Sequence, residues 1–185
     1  MQPLHLYIKD FMLYGESSID FTKLSPATAI IGMENSNTKN SIAVGKTTIF
    51  HAINYAIYNA KPSTNINKII RDGAKKAEII FDFSMSDGNI YRIERTRTKS
   101  TQNLYLKVKV NNEWKDLTDR TNSLTEQKIA DIIKINQETF ESSSYFKQND
   151  QTNLASVTPS KRKEIIRDLL HLEEWAVYEK KSQIY

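Results

Sequence analysis

Alternation of apolar and polar residues between positions 79 and 110 restricts the possible folds of this chain more than any other feature. Every second side chain is apolar in the runs 79–85 and 104–110, which is typical of strands that turn one face to a core. Asp87-Gly88 and Asn111-Asn112 separate the runs, and both dipeptides favour tight hairpin turns. The sequence therefore predicts an antiparallel meander, whose strands are 79–85, 90–97, 104–110 and 114–117.

The first part of the chain predicts three further strands. Leu4, Leu6 and Ile8 alternate with polar residues, and a short second strand is expected at 18–21. The apolar run 27–31 ends at Gly32 and is typical of a buried parallel strand. Together with the meander, these strands predict an α/β fold that combines a mixed sheet with an antiparallel β-meander.

Three helices are predicted. The first follows Gly45 and is apolar around most of its circumference, so we expect it to be deeply packed. Ser123 and Glu126 have the spacing of a capping box and predict the start of the second helix. Thr158 and Pro159 are suited to the N-cap and first position of the last helix, which runs towards Tyr185 without a stop signal.

Gly45-Lys46-Thr47-Thr48, placed between an apolar run and an apolar helix, predicts a phosphate-binding P-loop. Backbone amides around Val44–Thr48 would form an anion nest, with Lys46 at the β- and γ-phosphates and Thr47 at Mg²⁺. The strict spacing GxxxxGK[ST] is absent, because Asn40 stands where the first glycine belongs. Gly32 lies thirteen residues before Gly45, so the loop is enlarged, and a degenerate loop that binds nothing is the alternative.

Charge and composition limit the function classes. The chain has 26 basic and 22 acidic residues, and the excess lies within 90–120, where Lys107 and Lys109 oppose the apolar face and are candidates for DNA contact. The absence of cysteine excludes disulfides, Cys-ligated zinc and thiol catalysis. No apolar run approaches the roughly 20 residues of a membrane span, and no secretory signal is recognisable. We therefore expect a cytoplasmic protein, associated with the nucleoid or its equivalent, or in the host cytoplasm if viral.

Two other possible sites are rejected on sequence grounds. Residues 79–82 resemble a Walker B strand, but Phe83 stands where a catalytic glutamate is expected, and the alternation predicts that Asp82 points to solvent. The three histidines are scattered without metal-ligand spacing, which favours ordinary packing roles.

Three segments, residues 6–21, 29–58 and 142–181, together resemble one family. They are similar to the first two strands, the P-loop with its helix, and the Q-loop with the lead into the coiled coil of SbcC-type ATPases. The most specific part is Phe146-Lys147-Gln148 followed by Thr158-Pro159 and a basic, then apolar, helix. These SMC-like, ABC-class proteins are subunits of double-strand-break repair nuclease complexes.

The resemblance implies that the chain is the N-terminal lobe of an ABC-type ATPase head. Residues 1–157 would form the lobe and 158–185 the base of a coiled-coil helix. In the family, ATP and Mg²⁺ are held between two heads. The implied partners are the C-terminal half of the same head, a second head in a homodimer, an SbcD-type nuclease subunit and double-stranded DNA.

The resemblance also assigns residues. Gln148 would be the catalytic Q-loop residue near Mg²⁺ and the attacking water, and with Thr47 it would form the metal set. Asn35 or Asn40 would replace the loop asparagine of the family, and spacing does not choose between them. The implied nucleotide-binding set is Gly32, Asn35, Asn40, Val44, Gly45, Lys46, Thr47 and Thr48.

The resulting hypothesis is an ATP-binding half-head of a DNA double-strand-break repair and recombination ATPase that dimerises on ATP and controls a nuclease at DNA ends. The chain alone is expected to be inactive, since the signature motif, Walker B pair and switch histidine of the family lie in its second half. One alternative is a non-hydrolysing, architectural DNA-binding module. Another is a chromosome-organising SMC-type ATPase without a nuclease partner.

Overall fold

The computed structural model describes residues 1–33, 45–61, 68–144, 154–170 and 172. The chain divides into two compact units, Met1–Ile129 and Ala130–Tyr185. The first unit holds a six-stranded sheet, a helix on one face and most of a second helix, and the second unit holds two shorter helices. The boundary expected between 157 and 158 remains a prediction.

All six strands form one antiparallel sheet in the order β2-β1-β3-β4-β5-β6. The predicted meander is confirmed, because β3 to β6 are neighbours in chain order, and β1 joins them by pairing with β3. The strands are β1 (Gln2–Phe11), β2 (Tyr14–Asp20), β3 (Lys76–Ser84), β4 (Ile90–Thr98), β5 (Gln102–Val110) and β6 (Glu113–Asp116).

Both predicted hairpin turns form, by different means. Asn111 and Asn112 have φ angles of 52° and 68°, the left-handed pair that joins β5 tightly to β6. Between β3 and β4, Gly88 adopts φ 79° and donates its N–H to the Met85 carbonyl. Asp87 accepts hydrogen bonds there from the Asn89 amide and the Tyr91 hydroxyl, both at 2.9 Å. The turn predictions from the Asn-Asn and Asp-Gly dipeptides are therefore confirmed.

The core lies on one face of the sheet. Leu6, Phe81, Ile93 and Leu106 are fully buried on four adjacent strands. Helix α1 (Lys46–Tyr58) packs on β1, β3 and β4, and eight of its residues, from Thr48 to Ile57, are buried. The deep packing predicted for this helix is thus confirmed. The α/β class is confirmed as well.

The strand predicted at 27–31 is wrong. Residues 24–33 form no strand, and Ile30 and Ile31 are 43% and 70% exposed, although Gly32 is buried. All strand pairs among the described residues are antiparallel, so the parallel component of the mixed sheet is not found there. A buried strand needs neighbours that pair its backbone and cover both faces. Among the described residues, no strand pairs with this segment.

Asp82 also departs from its prediction. It lies in the antiparallel strand β3, which supports rejection of a Walker B site, but its side chain is only 11% exposed. Arg92 of β4 covers it and donates two hydrogen bonds of 2.7 Å to its carboxylate. This hydrogen bonding raises the pKa of Arg92 above its ordinary value. The pair holds adjacent strands together on the face opposite the core.

Helix α2 (Asn122–Ile133) begins two residues earlier than its predicted capping box requires, because Ser123 as N-cap would make Leu124 the first helical residue. The Thr121 hydroxyl, not Ser123, accepts the hydrogen bond of an early helical amide, that of Leu124, at 3.3 Å. Ser123 is exposed. Glu126 turns away from the helix end and pairs with Arg95, so the predicted capping box is wrong.

Replacing Thr121 by alanine should therefore lower the free energy of unfolding by about 1 kcal/mol, because the Leu124 amide loses its acceptor. Ser123→Ala is the matched control and should change it by less than about 0.5 kcal/mol. Chemical denaturation of both variants measures the difference. Equal losses would show that Ser123 contributes to the cap after all.

The second unit contains α3 (Gln137–Ser143) and α4 (Pro159–Leu169), which contact each other. Asn136 caps α3 by accepting the Thr139 amide at 2.8 Å. Thr158 is the N-cap of α4, and Pro159 opens the helix, as predicted. Most of the predicted continuation towards Tyr185 lies outside the described residues. Among the helices that the structure describes, none is long and apolar enough to cross a bilayer.

Candidate nucleotide-binding site

The N-terminal end of α1 carries the predicted phosphate-binding residues. Gly45 is the N-cap, with φ 85° and ψ 10°, and no side chain caps this end of the helix. Gly45 has no side chain that could accept a first-turn amide, and the Thr48 amide donates to the Gly45 carbonyl at 2.9 Å. A glycine-capped helix start of this kind is suited to binding phosphate. Lys46 is half-buried, Thr47 is exposed and Thr48 is buried. One helical turn thus presents an ammonium group and a hydroxyl beside these amides.

The turn between β1 and β2 lies against Gly45. A Cβ atom built on Gly45 would be 3.3 Å from Tyr14 Cε2 and 3.6 Å from Leu13 Cβ. Burial raises the pKa of Tyr14 above its ordinary value. The glycine therefore serves two needs, a left-handed backbone and close contact with the neighbouring turn.

A third segment, 69–71, is hydrogen-bonded to that turn. The Met12 amide donates to the Ile69 carbonyl, and the Arg71 amide donates to the Asp10 carbonyl, both at 2.8 Å. The Arg71 guanidinium covers Gly15, because a Cβ there would be 2.8 Å from Nη1. Neither Tyr14 nor Arg71 was predicted from the sequence to lie in this region. The glycines beside them are weak signals, since close approach is not readable from one glycine.

Gly45→Ala should lower the free energy of unfolding by about 1–2 kcal/mol, because alanine is strained at positive φ, and should weaken Mg-ATP binding. Gly88→Ala is the matched control: its φ of 79° gives similar strain, but nothing lies within 4 Å of the new Cβ. We expect both variants to lose stability and only Gly45→Ala to lose affinity. Denaturation and calorimetric titration measure the two effects, and equal affinities would contradict the site.

Known protein families include one that matches nearly the whole of this chain. The profile of the AAA domain family matches residues 5–184. The chain belongs to the AAA domain family. The resemblance to SbcC-type ATPases inferred from the sequence is confirmed by the relatives of this AAA domain.

Three of these relatives illustrate the similarity. A DNA double-strand break repair Rad50 ATPase of Methanococcus maripaludis is 31% identical over 182 residues, 97% of this chain and 16% of that protein. The SbcC component of nuclease SbcCD from Treponema pallidum is 28% identical over 191 residues, covering 95% and 17%. The Rad50 ATPase of Methanocaldococcus jannaschii is 28% identical over 178 residues, covering 96% and 16%. The AAA domain chain thus spans about one sixth of these relatives.

The structure brings together part of the predicted nucleotide-binding set of this AAA domain. Gly45, Lys46, Thr47 and Thr48 form one continuous helix start. Gly32 is buried at the end of an irregular segment. Asn35, Asn40, Val44 and Gln148 lie outside the described residues, and their roles remain predictions.

The described residues on either side of the segment that contains Gln148 both belong to the second unit. The Leu154 amide donates to the Ser142 carbonyl at 3.2 Å, so residues on either side of 145–153 are in contact. Arg162 of α4 donates to the carbonyls of Leu154 and Ala155 at 2.9 and 3.0 Å. These hydrogen bonds attach the Arg162 side chain to the backbone that precedes α4.

The DNA contacts of Lys107 and Lys109 remain predictions, and the structure pairs Lys107 with a carboxylate. Its ammonium group is 2.7 Å from the Glu94 carboxylate, and both side chains are more than two-thirds covered. Lys109 lies over the Trp114 ring at 5.9 Å from its centroid. A phosphate would have to compete with Glu94 for Lys107. Among the described residues no group of histidines and carboxylates is arranged to hold a metal ion.

Proposed function

We propose that this AAA domain is the ATP-binding N-terminal lobe of a DNA double-strand-break repair ATPase. The observation that carries the proposal is the start of α1, where Gly45 is a left-handed N-cap and Lys46 and Thr47 are the first two residues of a helix that is mostly buried. The names of the relatives, a DNA double-strand break repair ATPase and a component of a nuclease, support the biological role.

The residues present fit a nucleoside triphosphate with Mg²⁺. Amides at the helix start and the Lys46 ammonium group would bind phosphate oxygens, and the Thr47 hydroxyl would bind the metal. Bound Mg²⁺ neutralises phosphate charge during phosphoryl transfer. Gln148 is proposed to orient the attacking water. Tyr14 and the β1–β2 turn would limit access of water to the helix start, since they pack directly against Gly45.

The C-terminal half of the same head is the first proposed partner. Ile30, Ile31 and Met33 are 43%, 70% and 60% exposed, an unusual amount for three apolar residues in four positions. A second lobe that pairs with this segment would cover them and complete the sheet around the P-loop. We further propose that two complete heads dimerise on ATP and regulate a nuclease subunit at double-stranded DNA ends.

Reconstitution tests this proposal. The complete protein should hydrolyse Mg-ATP, and this chain alone should not, because catalysis needs charge stabilisation from several parts. Addition of the nuclease subunit encoded by the same organism should give a stable complex. Turnover without a nuclease partner would favour the chromosome-organising ATPase. DNA binding that is independent of ATP, without turnover, would favour the architectural module.

A further inference from the structure

We propose that Arg95 is a positioning residue, which fixes α1 along its own axis and thereby places Lys46 and Thr47. The inference rests on the proposed function, because it assigns those residues to a nucleotide. Arg95 lies on β4, on the core face, and is 1% exposed. Its contacts join the end of α1 far from the nucleotide to the start of α2.

The guanidinium group makes four hydrogen bonds. Nε and Nη2 donate to the Ala56 carbonyl of α1 at 3.2 and 2.9 Å. Nη1 and Nη2 donate to the two carboxylate oxygens of Glu126 at 2.6 and 3.0 Å. The same group lies 5.5 Å from the centroid of the Tyr55 ring. Arg95 is therefore held by three contacts from two helices.

Ala56 is well suited as the point of attachment. Its carbonyl belongs to the last turn of α1, where backbone acceptors lack partners within the helix. The chain leaves the helix at Asn59, whose φ is 55°. A cation is favoured here by the negative end of the helix dipole. The contact thus fastens the terminus of the helix rather than a point along its side.

The apolar part of the packing of α1 on the sheet supplies a different constraint. Ala52, Ile53 and Ile57 present small or aliphatic side chains to the core. Contacts of this kind resist separation from the sheet but have little directional preference. Paired N–H groups on one carbonyl do have direction. Arg95 therefore restricts sliding along the helix axis, to which apolar contacts are less sensitive.

If α1 shifts along its axis at Ala56, Lys46 at its other end shifts by the same distance. An α-helix is stiff, and α1 is 13 residues long, or roughly 20 Å at 1.5 Å per residue. Since Lys46 is its first residue, an axial shift of the helix moves the ammonium group and amides by the same amount. Misplacement by about 1 Å is enough to lower binding or turnover substantially.

The decisive variant is Arg95→Met with Glu126→Leu. Replacing a buried ion pair by apolar residues usually preserves folding, but the Ala56 carbonyl loses its two donors. The matched control is Arg92→Met with Asp82→Leu, which removes a bidentate pair of the same sheet on the opposite face. In the complete protein we expect the first variant to lose Mg-ATP affinity at least about tenfold and the control to change less than about twofold.

A purely structural role would lower thermal stability in both variants without this difference in affinity. A second measurement is amide hydrogen exchange at residues 50–58, whose amides are hydrogen-bonded within α1, without nucleotide. It should accelerate in the Arg95 variant and stay unchanged in the control. Equal affinity and equal exchange in the two variants overturn the proposal.

If the double variant does not unfold cooperatively, Arg95→Lys is the variant that tests the proposal. Lysine keeps a charge near Glu126 but has one nitrogen in place of the forked donors, so affinity should fall at least about threefold and wild-type affinity would overturn the proposal. The proposed function fails separately, if the wild-type protein binds no Mg-ATP or if Lys46→Ala binds normally. In that case the exchange measurement still decides whether Arg95 positions α1.

Discussion

Replacing Lys46 by alanine is expected to weaken binding of Mg-ATP by the complete protein roughly hundredfold. Hydrogen bonds to charged groups contribute about 1.5–3 kcal/mol, and each 1.4 kcal/mol is a factor of about ten in affinity. Lys46 is the first residue of α1, directly after Gly45. The variant keeps the amides of the helix start, so it isolates the contribution of the ammonium group. Isothermal titration calorimetry measures the effect.

Lys76→Ala is the control for this prediction. Lys76 is a lysine at the start of β3, where it pairs with Glu78 at 3.3 Å with more than half of its side chain exposed. Loss of one surface charge should change affinity less than about twofold, because exposed charges are screened by salt. Undiminished affinity of the Lys46 variant would falsify the assignment of the phosphate site. Equal losses in both variants would indicate non-specific attraction.

Phe81→Ala should lower the free energy of unfolding by about 3–5 kcal/mol, the usual range for removing a buried aromatic ring. Phe81 is fully buried in the central strand β3 and stacks on Phe83 with ring centroids 5.5 Å apart. Its β1 neighbour, Leu6, is also fully buried, so the cavity would be lined by rigid strands that cannot close it. Urea denaturation followed by tryptophan fluorescence measures the loss.

The appropriate comparison is Tyr105→Ala. Tyr105 is an aromatic residue of the same sheet, but it lies opposite Glu94 on the other face and is 44% exposed. Its removal leaves no internal cavity, and we expect a loss of less than about 1 kcal/mol. Similar losses at both positions would mean that the core does not lie on the Phe81 face of the sheet.

The meander could be predicted because its signals are local. Alternation at Phe81 and Phe83, repeated at Leu104 and Leu106, fixes which face each strand buries. The turn residues Gly88 and Asn112 adopt the positive φ angles that their types suggest. The same reasoning found α1, whose apolar circumference implies burial on several sides. Neighbouring residues were enough for each of these assignments.

Long-range partners explain the errors. The segment 27–31 has the composition of a buried strand, but a strand forms only where a neighbour pairs its backbone. Ser123 and Glu126 match a capping box, yet Thr121 reaches the Leu124 amide and Arg95 takes the carboxylate. Asp82 was expected in solvent because its partner, Arg92, becomes adjacent only when β3 and β4 pair.

Some residues of the candidate site could likewise be predicted from the sequence, and others could not. Gly45, Lys46 and Thr47 are consecutive, so their chemistry is readable from spacing and from the helix that follows. Tyr14 and Arg71 approach from distant parts of the chain, through hydrogen bonds of the β1–β2 turn with the segment 69–71. No periodicity joins those segments. Only the paired backbone shows that the segment 69–71 holds the β1–β2 turn, which in turn lies against Gly45.

The order of the strands has a consequence for biosynthesis. Strands β3 to β6 pair as successive hairpins, whereas β1 finds its partner β3 only after α1 has been made, as the pairing of Leu6 with Phe81 shows. Closing that long loop is slower than closing a hairpin. On the ribosome, the apolar surface of α1 therefore remains exposed to solvent until β3 has emerged and can pack against it. We expect nascent chains that stop before β3 to bind chaperones, and those that extend past β4 to be released.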